Sequence, residues 1–149
     1  MTELTQFAER FNQSDKSKPS TQMDIDTLER IFQIFLPIDY KTFLLNFGNI
    51  WTPGILNLVI DNELDINDVS QFWAIDKIIY DKQNEWTSHV SPEIIPFASD
   101  CSGNIFAFLR HDLRFQTETA DIYFYDHDFD TVEKISHSFK DWINEYNKI

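Results

Sequence analysis

A single α+β domain, with an antiparallel or mixed sheet flanked by helices and closed by an amphipathic C-terminal helix, is the fold class this sequence predicts. Three features lead there: two helical-period stripes lie close together over residues 25–47, short β-rich runs cluster in the second half, and an apolar stripe follows the last of them. The 149 residues are 42% hydrophobic and include fourteen Phe, which suits one buried core and is too apolar for a disordered chain. The expected domain spans 1–149, with a short N-terminal helix and polar loop over 1–23 and the core over 24–149.

Leu4, Phe7 and Phe11 recur at helical spacing, and the polar stretch Asn12 to Gln22, which contains Pro19, reads as a loop. Leu28, Ile31, Phe32 and Phe35 form the next stripe, with Asp26 as the expected N-cap and Glu29 as its capping-box partner. After Leu36-Pro37, where proline suits a helix start, Tyr40, Phe43, Leu44 and Phe47 form one apolar face that Gly48 should end. Trp51-Thr52-Pro53-Gly54 reads as a turn, Ile55 to Ile60 as a strand, and Leu64 to Gln83 as a helix carrying Val69, Phe72, Trp73 and Ile79 on one side. Strands are expected near 94–98 and 104–110, joined by the turn Asp100-Cys101-Ser102-Gly103, and another over Ile122 to Tyr125. The last stripe, Val132, Ile135, Phe139, Trp142, Ile143 and Tyr146, predicts a helix capped by Asp130 with Glu133 three residues on.

Three of these blocks, in this order, resemble the SUKH superfamily: Leu36-Pro37-Ile38-Asp39-Tyr40 through Gly48; Ile94-Ile95-Pro96-Phe97-Ala98-Ser99-Asp100 through Gly103-Asn104; and Ile122-Tyr123-Phe124-Tyr125-Asp126-His127-Asp128 with the helix after it. The likeness covers roughly residues 24 to 146. It departs at Phe47, where that group often has Asn before the Gly. The resemblance implies a non-enzymatic immunity protein that binds and neutralises a cognate protein toxin, a basic nuclease in particular, by covering or distorting its active site. Its other implication is an intracellular regulatory or scaffold module like the cell-wall regulators of the same group.

Charge narrows the partner independently. Acidic residues outnumber basic ones 25 to 12, a formal charge of −13, which disfavours a phosphate backbone and favours a basic protein. With one cysteine, Cys101, no internal disulfide can form, and neither a signal peptide nor a ~20-residue apolar span is evident, so a cytoplasmic protein is expected.

No catalytic, cofactor or metal constellation is expected. Asp126-His127-Asp128-Phe129-Asp130 begins like a calcium loop, but Thr131 and His137 stand where Gly and the bidentate Glu are required. His111-Asp112 lacks the further ligands of a hydrolase centre, since only His89, His127 and His137 remain. Cys101 has no basic neighbour in sequence to activate it. A hydrolase would need His111 and the 126–130 run to converge. The expected partner-binding residues are Trp51, Asp61, Glu63, Asp65, Asp68, Tyr123, Asp126 and Asp128, aromatic anchors among acidic clusters.

Overall fold

The computed structural model describes residues 2–84 and 90–149. Among these, six helices surround a five-stranded antiparallel sheet in the order β1-β2-β3-β4-β5. The strands are β1 (Gln71–Phe72), β2 (Ile94–Ser99), β3 (Ile105–Leu109), β4 (Ile122–Asp126) and β5 (Thr131–Ser136). The helices are α1 (Thr2–Phe11), α2 (Gln22–Phe32), α3 (Ile38–Asn46), α4 (Gly54–Asp61), α5 (Ile75–Asn84) and α6 (Phe139–Asn147).

The aromatic residues build the core where helices meet the sheet. Phe97 and Phe108 stack from β2 and β3 at 4.7 Å, Tyr40 of α3 lies 5.3 Å from both, and Trp142 of α6 rests 4.9 Å from Phe106. Phe7 of α1 meets Phe72 and Tyr146, so the N-terminal helix packs into the same aromatic core. Asp39 explains its place after Leu-Pro: its carboxylate accepts from the Tyr40 and Lys140 amides and so ties the start of α3 to the start of α6.

Several expected elements are corrected. Thr21, not Asp26, caps α2, exchanging hydrogen bonds with Asp24 in a capping box. That helix stops at Phe32 because Gln33 turns left-handed at φ 56°; the chain then runs extended and buries Ile34 and Leu36, leaving Ile31 and Phe35 exposed. Residues 55–60 are helical in α4, with Ile55 buried. The expected helix over 64–83 is instead a loop, the two-residue strand β1 and the shorter α5.

The largest correction lies at the C-terminus. Residues 131–136 form β5 and pair with β4, and α6 begins only at Phe139, capped by the Ser138 hydroxyl accepting from the Asp141 amide. Asp130 caps no helix: it sits at φ 52° in the β4–β5 turn and its carboxylate accepts from the Tyr125 hydroxyl at 2.7 Å. Tyr125 is accordingly buried, and Phe124 partly buried.

Candidate functional site

Antiparallel connectivity puts the β2–β3 turn and the β4–β5 turn at the same end of the sheet, because Ile105 pairs with Tyr125 just beyond both. Short polar contacts lock a third segment to them. The buried Asp68 carboxylate, which follows α4 and its loop, accepts from the Cys101 amide at 3.2 Å. Asp100 accepts from the Ser102 and Asn104 amides at 2.9 and 2.8 Å and closes the β2–β3 turn, where Gly103 takes φ 87°. The Asn104 side-chain oxygen then accepts from the His127 amide at 3.1 Å. Asp126 accepts from the Asp128 and Phe129 amides and shapes the β4–β5 tip.

Three segments far apart in sequence, each carrying Asp, thereby meet at one end of the sheet. Beside it lies a groove of about 580 Å³ between the 64–67 loop, β5 and α6, lined by Asp65, Asn67, Glu133, Ile135, Trp142 and Glu145. The nearby lysines are already engaged, Lys134 with Asp121 at 2.9 Å and Lys148 with Glu145 at 3.6 Å. Crowding of like charge is felt inside: burial pushes the Asp68 carboxyl above its ordinary range, and neighbouring Asp100 adds to the rise. On the rim stand apolar side chains, Phe129 at the turn tip with 76% of its surface exposed and Val132 beside it with 45%.

The expected partner-binding residues divide accordingly. Asp65, Asp126 and Asp128 lie on this end; Asp61 and Glu63 are exposed at the close of α4, Glu63 at φ 52°. Asp68 is mostly covered and serves its own chain, holding the 64–68 loop to the β2–β3 turn. Tyr123 lies in mid-strand opposite Lys134, its phenol pKa raised by burial and by Asp112 and Asp121. Trp51, half exposed, forms a bridge with Gln71 beyond β1, at the opposite edge of the sheet from β5. Sequence reasoning overlooked Phe129; an aromatic residue flanked by Asp128 and Asp130 in a turn was the available signal.

The geometry does not assemble a hydrolase centre from the expected pieces. His111 contacts Asp112 at 3.1 Å at the far end of β3, whereas His127 sits at the near end, about 17 Å away by the rise of a five-residue strand. His89 lies outside the described residues. Among the described residues no group of three or more His, Cys, Asp or Glu is placed to hold a metal ion, and no helix is long and apolar enough to cross a membrane.

Asp68 supplies a stability test. A carboxyl whose folded pKa is raised contributes stability that is present below its unfolded pKa and lost as pH rises through the folded value. Asp68→Asn stays neutral and retains an oxygen for the Cys101 amide, so its melting temperature relative to wild type should be higher at pH 7 than at pH 4. Thermal melts at the two pH values check this, and a larger relative loss at pH 7 would contradict it.

A family model described as SMI1 / KNR4 family (SUKH-1) matches residues 19–145, which contain all the strands, helices α2 to α5 and all but the last two residues of α6. A search of curated proteins gave no match.

Proposed function

The chain belongs to the SMI1/KNR4 family (SUKH-1), and we propose that it is a non-enzymatic immunity protein whose acidic sheet end binds a cognate toxin, a basic nuclease domain, and blocks its active site. The observation that carries this reading is the convergence of the 64–68, 100–104 and 126–130 segments, held by Asp68–Cys101 and Asn104–His127 hydrogen bonds. Such a surface needs no chemistry of its own. Inhibition requires only complementarity, and a chain of formal charge −13 speeds encounter with a positive cleft. Exposed apolar side chains on the rim would then govern dissociation. The cytoplasm is the compartment in which such a protein would meet a nuclease before damage.

Coexpression with the product of the neighbouring gene tests the reading. Neutralising Asp61, Glu63 and Asp65 together, and separately Asp126 and Asp128, should weaken protection in at least one set. Asn at 126 keeps the turn acceptor, so melting temperatures should barely change. Association of the wild-type complex should slow as salt shortens the Debye length below about 10 Å. Full protection by both variant sets, with salt-independent association, would show that the acidity serves solubility alone.

A further inference from the structure

The sheet is sealed at one edge and open at the other. Trp51 bridges Gln71 beyond β1, whereas β5 pairs only with β4, and no backbone group of residues 131–136 has another hydrogen-bond partner among the described residues. Every second residue of an edge strand turns its N–H and C=O away from the sheet. The register shows where this edge is regular. Thr131, Val132, Glu133 and Lys134 pair one-to-one with Asp126, Tyr125, Phe124 and Tyr123, and the irregularity comes only afterwards, where Ile135 is the extra residue before Ser136 pairs with Ile122. All four regular residues are exposed.

Resting on the reading of the acidic end as a binding surface, we propose that the partner docks by adding an extended, basic segment as a sixth strand along Thr131–Lys134, with Phe129 as its apolar anchor. The two faces of the edge specify that segment. Glu133 shares the α6 face with its cross-strand partner Phe124 and borders the groove that holds Asp65 and Glu145, so every second residue of the incoming strand should be Lys or Arg. Val132 shares the opposite face with Tyr125, Lys134 on that face is already paired with Asp121 at 2.9 Å, and Phe129 stands at the end, so the alternate residues should be apolar. Pairing with a second copy would instead bring together two chains of formal charge −13. Main-chain hydrogen bonds would hold the segment, while charge would select it.

A short peptide alternating Lys and Val, and the same peptide N-methylated at alternate amides along one edge, provide the test with the full-length protein. Titration followed by amide chemical shifts should centre on Thr131–Lys134 and the Phe129 ring. N-methylation should weaken binding about tenfold or more, the loss expected from a few main-chain hydrogen bonds. Glu133→Lys and Phe129→Ala should each weaken it too, and neither exposed residue should alter the fold. Salt-sensitive binding at the acidic end that ignores N-methylation would overturn strand addition and leave the acidic-surface reading intact. No binding of either peptide at millimolar concentration would overturn both, and concentration-dependent self-association through β5 would assign the edge to a second copy.

Discussion

Phe43→Ala should unfold the protein more readily by about 3–5 kcal/mol, the cost of truncating a fully enclosed aromatic side chain. Phe43 is completely buried, and its ring lies 5.1 Å from Phe72 of β1, 5.4 Å from Phe139 of α6 and 5.5 Å from Phe47. It therefore joins three elements that are distant in sequence. Neither Phe72 nor Phe139 can follow the retreating side chain, because each is also held by Trp142, at 5.8 and 5.9 Å. The melting temperature should fall by roughly 10 °C for a domain of this size. Urea denaturation with an unchanged slope and a lowered midpoint is the expected record. A loss below about 1 kcal/mol would mean that the site collapses around the change, as a loosely packed core does.

Phe43 was legible in the sequence because α3 keeps one strict period from Tyr40 to Phe47 and the helix runs to Asn46, with Phe47 as its C-cap. The β2–β3 hairpin was legible for a similar reason, since its apolar runs are short and Gly103 marks the turn. Residues 55–60 were not: a short apolar run fits a strand or a buried helix turn equally well, and only the tertiary setting decides. At the C-terminus two signals misled together. Val132, Ile135 and Phe139 happen to keep helical spacing, and Asp130 with Glu133 imitates a capping box. The β-branched Thr131, Val132 and Ile135 favour a strand, and Ser138 with Asp141 supplies the true helix start. The acidic residues themselves could be picked from the sequence, but their convergence could not. That depends on which turns share an end of the sheet, and so on pairing register rather than on local pattern. The same misreading hid β5, and with it the open edge and the exposed Phe129.

Gly48→Ala should be among the most damaging single substitutions outside the aromatic core. Gly48 ends α3 at φ +68°, which costs a residue with a Cβ about 1–2 kcal/mol. A Cβ here would also run into the Lys18 carbonyl, with the Pro19 Cα only 3.2 Å away, so backbone rather than a flexible side chain must move. The 12–20 loop is clasped to this corner: Ser20 N–H donates to the Leu44 carbonyl at 2.8 Å, Lys18 N–H to the Asn49 side chain at 3.2 Å, and Gln13 N–H to the Trp51 carbonyl at 2.8 Å. Asn12 returns the hold by accepting from the Trp51 amide. Displacing the loop therefore releases Trp51 as well as the end of α3. The total loss should be about 3 kcal/mol or more, and hydrogen exchange should report it locally, with the Ser20 and Gln13 amides losing protection before those of β2 and β3. Unchanged protection at Ser20 and Gln13 in a folded Gly48→Ala protein would mean that the corner accommodates a side chain without opening the clasp. In that case the left-handed conformation alone accounts for the glycine.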